Sequence, residues 1–250
     1  MSLLSVGALR ALLKEIVVSA HGDRPIAVGG APALATALRR ELGISGGDEP
    51  KGAAVYVHIW SGDGDEAALT RARRARVPIV ALAPPDVEDV PHVLATDVVR
   101  LRPGAGFPVA ELARTIAGRL GEEAAPLAAR VPVLRRAVGE QLIHSISRTN
   151  GLVAAAVFIP GVDLPILARN ELRLMLRLEQ TYGLDVDPRE RLPEIAGTIA
   201  VGFGLRAVAR ELLDLIPFAG WAIKGGVAYA GTRALGEATL RRLESSQSRR

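Results

Sequence analysis

The feature that most constrains this chain is a change of pattern near its midpoint. Short apolar, β-branched runs alternate with helix-forming segments as far as Leu120, whereas long apolar-periodic segments without strand signals follow from about Pro126. Alternating strands and helices predict a parallel sheet with crossover helices, and long periodic segments predict packed helices. We therefore expect a short parallel-sheet α/β domain at residues 1–125, followed by an all-α, four-helix domain at residues 126–250.

The predicted elements follow from apolar periodicity and from turn residues between the runs. In the first domain, strands are expected at residues 24–28, 53–60, 77–83 and 98–101, and helices at 32–42, 65–75 and 108–120. In the second domain, helices are expected at residues 132–158, 163–182, 190–214 and 218–244, separated by PGVDLP, YGLDVDP and IPFAG.

Composition excludes several classes of protein. The chain has no cysteine, so disulfides, thiolate catalysis and cysteine-ligated metals are excluded. We expect no signal peptide, and the longest uncharged run, residues 149–162, has 14 residues, whereas a spanning helix needs about 18. The four histidines lack metal-ligand spacing, and His58 is expected to be a satisfied core residue rather than a ligand. In SGDGDE, Ser61 to Glu66, a helix-capping loop is favoured over a metal site.

The segment GGAPALAT, residues 29–36, has the spacing of a phosphate-binding loop without its lysine. A working P-loop reads GxxxxGK[ST], in which backbone amides and lysine hold the phosphates and the hydroxyl ligates magnesium. Aligned on Gly29, the chain keeps Thr36 but places Leu34 at the second glycine and Ala35 at the lysine. The loop thus lacks the charge that phosphoryl transfer requires.

The first half resembles a degenerate GTPase domain of the Era/translation-factor type. AAVYVHIWSGDGDEAALTRARRARVPIVALAPPD resembles the stretch that runs into the guanine-reading Asn-Lys-x-Asp motif, of which only Asp86 is kept. Leu101-Arg102-Pro103 stands where Ser-Ala-Lys is expected, and the connection at residues 42–53 is too short for the switch segments. The resemblance implies a pseudo-GTPase with no catalytic residue, cofactor or metal, and a vestigial nucleotide site at Gly29, Gly30, Thr36 and Asp86. The alternative is a nucleotide-binding switch protein with weak or no hydrolysis.

The second half is similar to the YcjF-type domain, a bacterial domain of unknown function that occurs in inner-membrane proteins and behind GTPase domains. NGLVAAAVFIPGVDLPILARNELRLMLRLEQTYGLD and IPFAGWAIKGGVAYAGTRALGEA carry the similarity, which covers about residues 135–243. The similarity implies proximity to a membrane and no established chemistry. We expect a cytoplasmic protein, peripheral on the inner membrane where it meets one.

Four polar residues of the helical half are interpreted as structural. Asp163 is expected to be an N-cap, and Arg233 and Glu237 to form an i,i+4 ion pair or to pair with Asp163. Lys224 is the fourth. Glycines in the last helix lower its propensity, so close helix–helix approach is expected to offset that cost. They are Gly220, Gly225, Gly226, Gly231 and Gly236.

A basic line of Arg169, Arg173 and Arg177 is the candidate contact surface of the helical half. Salt bridging or plain solvation is favoured for this line, and an anionic membrane surface beside PGVDLP is the sharper hypothesis. The half carries 17 basic and 12 acidic residues, but aromatic residues make up 4% of the chain, which argues against nucleic acid. We expect a non-enzymatic scaffold or regulatory module that contacts a membrane surface or protein partner, with self-association compatible with the last helix.

Overall fold

The computed structural model describes residues 24–156, 164–184 and 220–248. They fall into two compact units, one ending at Val138 and the other starting at Gly139, so that the division lies within a helix. The predicted domain boundary lies at residue 125. Each unit is described by itself below.

The first unit is built on a four-stranded parallel sheet with strand order β1-β2-β3-β4. The strands are β1 (Ile26–Gly30), β2 (Val55–Ile59), β3 (Ile79–Ala83) and β4 (Val98–Arg100). The helices are α1 (Pro32–Leu42), α2 (Glu66–Arg74), α3 (Val109–Leu120) and α4 (Ala124–Arg130). This arrangement confirms the predicted α/β class and parallel sheet; α4 was not predicted as a separate helix.

The strands are short apolar runs because both faces of the sheet are buried, as is usual for parallel sheets. On one face, Tyr56, Ile79 and Ala81 join a core cluster with Leu69 and Ala72 of α2. The opposite face carries residues that are also buried, among them Val28, Val57, Val80, Leu82 and Val99. The sheet is therefore the rigid centre of this unit.

Helix α1 begins and ends where the sequence predicts. Pro32 occupies the first turn, where its missing N–H costs nothing, and Gly43 follows the helix with a left-handed φ of 66°. The Gly43 N–H lies against the carbonyls of Arg39 and Arg40, which closes the last turn. By contrast, β1 runs two residues beyond its predicted end, because Gly29 and Gly30 pair with His58 and Ile59 of β2.

The described residues of the second unit are helical except for the turns at 182–184 and at Ser248. It contains α5 (Arg135–Ala156, which starts in the first unit), α6 (Leu164–Thr181) and α7 (Gly220–Gln247). These helices lie where three of the four were predicted. The fourth predicted helix, residues 190–214, lies outside the described residues.

Two glycine sites set the spacing of these helices. A Cβ added to Gly225 of α7 would lie 2.9 Å from the carbonyl oxygen of Gly151 in α5, and one added to Gly236 would lie 2.7 Å from Ile143 Cγ1. The predicted close approach is confirmed at both. It is wrong at Gly226, since no atom of the described residues lies within 4 Å of a Cβ added there.

Candidate functional site

The turn between β1 and α1 does not form a phosphate cradle. A single residue, Ala31, separates Gly30 from Pro32, the first residue of α1. A phosphate-binding loop needs several consecutive backbone N–H groups around the anion, and Pro32 has none. The segment therefore closes at once into a helix, and there is no loop to surround a triphosphate.

The two glycines of this turn are explained by packing. A Cβ on Gly29 would collide with the hydroxyl of Tyr56, and a Cβ on Gly30 would collide with the carbonyl oxygen of Ile59. Gly30 also has a φ of 96°, a conformation that side-chain-bearing residues rarely adopt. Glycine is needed at both positions because the neighbouring strand is close. The two glycines that resemble a phosphate-binding loop are therefore explained without a bound ligand.

Thr36 and Asp86, the other two residues of the predicted vestigial site, are engaged elsewhere or exposed. Thr36 is the fifth residue of α1; its hydroxyl donates to the carbonyl of Pro32 at 2.9 Å and accepts from Arg39 at 3.3 Å. Asp86 is exposed in a turn closed by a hydrogen bond from Val87 N–H to Pro84 O at 3.3 Å. The contacts of Thr36 and of the turn at Asp86 are thus local to their own segments, and the vestigial nucleotide site stays a prediction.

An open cavity of about 400 Å³ lies at the carboxyl edge of β3 and β4, where open α/β sheets usually bind ligands. Pro84, Pro85, Leu101 and Phe107 line it, whereas Gly29, Gly30, Thr36 and Asp86 do not. Arg100 holds one wall, because its guanidinium donates to the carbonyls of Pro84, Val87 and Glu88. The lining is apolar apart from Arg102, which is the one charged side chain in it.

A buried polar relay runs from β2 to the start of α2. Asp65 Oδ2, a carboxylate oxygen that can only accept, lies 3.3 Å from His58 Nε2, so the imidazole proton lies on Nε2, although the pair lacks hydrogen-bond alignment. His58 Nδ1 then accepts from the Tyr56 hydroxyl at 3.0 Å, and burial raises the pKa of Tyr56 to about 12. Burial also lowers the pKa of His58, and its side chain is fully enclosed. The predicted core position of His58 is confirmed, but the residue is not fully satisfied, because its Nε2 lacks an aligned hydrogen-bond partner.

Asp65 closes the SGDGDE loop through hydrogen bonds with Ser61, the residue four positions earlier in the chain. Its Oδ2 accepts the Ser61 backbone N–H at 2.5 Å and the Ser61 hydroxyl at 3.0 Å. Burial alone would raise the pKa of Asp65, but the bonds from Ser61 and the contact with His58 lower it. Asp65 is the N-cap residue of α2 yet makes no capping bond to the helix, so the predicted helix-capping role is wrong.

The order of groups in this relay does not fit nucleophilic catalysis. A serine nucleophile needs an imidazole beside its hydroxyl to take the proton. Here the Asp65 carboxylate lies between Ser61 and His58. Within the described residues, no group of three or more His, Cys, Asp or Glu side chains could hold a metal ion. The relay is best explained as an internal support of the β2–α2 connection.

The predicted basic line of α6 does not hold along its length. Arg169 is exposed and Arg173 is half-buried, but Arg177 is 5% exposed, and its guanidinium donates to Gln180 Oε1 at 2.9 Å. Consecutive α-helical residues rotate by about 100°, so each step of four residues turns the side chain by about 40°. Two such steps carry Arg177 from the surface into the interior. Arg177 is therefore not part of an exposed contact surface.

The remaining predicted residues of the helical half have mixed outcomes. Arg233 Nε lies 2.7 Å from Glu237 Oε1, which confirms the i,i+4 pair, and Arg241 joins it at 3.3 Å. Lys224 is half-buried in α7. Asp163 lies outside the described residues.

A buried polar network links α5, α6 and α7, the described helices of this unit, and sequence analysis missed it. Asn150 donates to Thr232 Oγ1 at 2.9 Å, and the Thr232 hydroxyl donates to Glu171 Oε1 at 3.0 Å. Asn170 donates to Asn150 Oδ1 at 2.7 Å. Glu171 is 1% exposed. The sequence signal was a set of polar residues at positions where the apolar period expects core residues.

Comparison with known protein families, with curated proteins and with solved structures finds no match to this chain. The resemblances to GTPase and YcjF-type domains therefore stay predictions. In the part of the chain that the structure describes, no helix combines the length and apolar character needed to span a membrane.

Proposed function

We propose that the chain is a non-enzymatic scaffold or regulatory module in which a pseudo-GTPase α/β domain precedes a YcjF-like, four-helix domain. In this proposal the helical domain contacts a membrane surface, with a protein partner as the alternative. The observation that carries the proposal is the pair of exposed apolar side chains, Leu152 and Ile166, on either side of residues 157–163.

These two side chains stand out because most large apolar residues of the described chain are buried. Leu152 near the end of α5 is 63% exposed, and Ile166 near the start of α6 is 44% exposed. The intervening residues 157–162, VFIPGV, are apolar and are followed by Asp163, and the exposed Arg169 follows one turn after Ile166. Apolar residues next to a cation are the combination by which peripheral proteins attach to anionic lipid surfaces.

The non-enzymatic half of the proposal is supported by the β1–α1 turn. A one-residue turn followed by Pro32 provides neither the consecutive amides nor the cation that a triphosphate requires. Losing these groups also disfavours the nucleotide-switch alternative. The sheet would then serve as a rigid support for surface contacts.

Vesicle flotation of the intact protein tests the proposed contact. We expect the protein to float with vesicles that contain phosphatidylserine and to remain in solution with pure phosphatidylcholine, since basic residues require anionic lipid. The double variant Leu152→Ser/Ile166→Ser should lose most of this binding, because apolar burial supplies about 25 cal/mol per Å² removed from water.

Leu34→Ser is the matched control, since Leu34 is 45% exposed on α1 and lies in the other unit. It should float as the unmodified protein does. Equal loss in the control and in the double variant would contradict a specific contact. If the protein floats with neither kind of vesicle, photo-crosslinking from position 152 in cells tests whether a protein partner contacts this surface instead. The absence of any crosslink would then refute the proposal.

A further inference from the structure

A basic cavity lies at the edge of the sheet opposite to the apolar one. It is formed around the amino ends of β3 and β4. Its volume of about 230 Å³ is far larger than the roughly 30 Å³ that one water molecule occupies in the liquid. Its charged and polar lining consists of Arg73, Arg76, His92, Asp97 and Arg119. All five belong to the α/β unit.

The cavity carries a positive charge. Three arginines and one aspartate line it, and the charges of these four side chains sum to two positive. The carboxyl ends of α2 and α3 lie here as well, and each contributes about half a negative charge. The helix dipoles therefore explain why arginine is tolerated in the last turns of these helices. They compensate about one of the two positive charges, so a net charge of roughly one positive remains in the cavity.

Arg76 occupies a position where glycine is normally found. Its N–H donates to Arg73 O at 3.0 Å and Val77 N–H donates to Ala72 O at 3.1 Å, the bonding pattern that ends a helix with a left-handed residue. The φ of Arg76 is 55°. Its side chain makes no hydrogen bond or ion pair within the described part of the chain. The protein thus bears the backbone cost of a non-glycine residue without an internal contact to offset it.

His92 repeats the same feature on the opposite wall. Its φ is 65°, and Arg76 and His92 are the non-glycine residues with positive φ among those described. Arg73 can only donate, so His92 Nδ1 accepts its bond at 3.2 Å, and Nε2–H then donates to Thr70 Oγ1 at 3.2 Å. Left-handed side-chain-bearing residues cluster at functional sites. Both of them line this one cavity.

Arg119 is held in place by a buried acid. Asp97 is 7% exposed, and its Oδ2 lies 3.4 Å from Arg119 Nε. This contact uses the Nε edge of the guanidinium, so both Nη groups keep donors for another acceptor. Asp97 thereby orients the arginine and does not fill the cavity.

We propose that this cavity binds a phosphate group, as the free ion or as the headgroup of a phosphate ester. Guanidinium groups match the geometry of phosphate oxygens and donate charge-assisted hydrogen bonds to them. The site is distinct from the proposed contact at Leu152 and Ile166, and neither depends on the other.

Titration of the intact protein with inorganic phosphate, followed by NMR of the His92 ring at constant ionic strength, tests the proposal. We expect saturable binding. The variant Arg76→Gly should weaken it about tenfold or more, the effect of losing one charge-assisted hydrogen bond. The same variant should melt at an equal or higher temperature, because glycine is the preferred residue at a left-handed helix end. Lost affinity in a protein that is not less stable separates binding from folding.

Arg74→Gln is the matched control, because Arg74 lies at the same helix end, is exposed and does not line the cavity. It should leave the affinity unchanged. Flotation with phosphatidic acid vesicles is the second measurement. Flotation that depends on Arg76, together with weak binding of inorganic phosphate, identifies a lipid headgroup as the ligand. Strong binding of inorganic phosphate without flotation identifies a soluble phosphate. Absence of saturation in both measurements, or equal weakening by Arg74→Gln, would overturn the proposal.

Discussion

The packing of α5 against α7 predicts opposite effects for alanine at two consecutive glycines. Gly225 and Gly226 are adjacent in α7, so an alanine at either position gains the same helix propensity of about 1 kcal/mol. Their surroundings differ. Among the described residues, a Cβ at Gly226 meets nothing within 4 Å, whereas a Cβ at Gly225 would lie 2.9 Å from Gly151 O and 3.1 Å from Ala155 Cβ.

The size of the difference follows from these contacts. Gly226→Ala should raise the free energy of unfolding by about 1 kcal/mol, since no contact opposes the propensity gain. At Gly225 the closest atom belongs to the backbone of α5, so the helices must move apart. Such overpacking costs about 1–3 kcal/mol. With about 2 kcal/mol for this cost, Gly225→Ala should lower the free energy of unfolding by about 1 kcal/mol.

Thermal unfolding followed by far-UV circular dichroism measures this difference. The propensity gain is common to both variants, so the difference between them, about 2 kcal/mol, isolates the overpacking cost. For a chain of this length, it corresponds to melting temperatures roughly 4–8 °C apart, with Gly226→Ala the higher. If Gly225→Ala is as stable as Gly226→Ala, the close approach of α5 and α7 is wrong.

Two further predictions concern buried polar groups. Burial lowers the pKa of His58, so on acidification the unfolded chain binds a proton at this histidine before the folded chain does. The free energy of unfolding should therefore fall as the pH drops below about 6.5, by up to about 1.4 kcal/mol per pH unit. Urea unfolding at several pH values measures this, and a profile that is flat from pH 7 to 5 would refute it. Thr232→Val removes the hydroxyl that donates to the buried Glu171, so it should cost about 2 kcal/mol. The control Thr239→Val, whose hydroxyl donates to the carbonyl of Leu235 one turn earlier in the same helix, should cost less in the same unfolding assay, and equal losses would contradict the network.

Features encoded in local sequence were predictable. The limits of α1 follow from Pro32 at its start and Gly43 after its end, which act through backbone geometry alone. Strands β2 and β3 are short apolar runs because both faces of a parallel sheet are buried. The need for close contact at Gly225 and Gly236 followed from the poor helix propensity of glycine.

Features that depend on tertiary packing were not predictable. Arg177 shares a spacing of four with Arg169, but which side of α6 faces the core depends on its neighbours. Asn150, Glu171 and Thr232 are distant in sequence and meet only when three helices pack. The left-handed conformation of Arg76 at the end of α2 was not predictable, because the residue type does not indicate a positive φ.

Isothermal titration of the intact protein with GTP and magnesium is the most direct test of the account. The one-residue turn between Gly30 and Pro32 supplies no cradle for a triphosphate, so we expect no saturable heat at micromolar nucleotide. Micromolar affinity that is lost in Thr36→Ala would contradict the account, because it would require the β1–α1 turn to hold the phosphates after all.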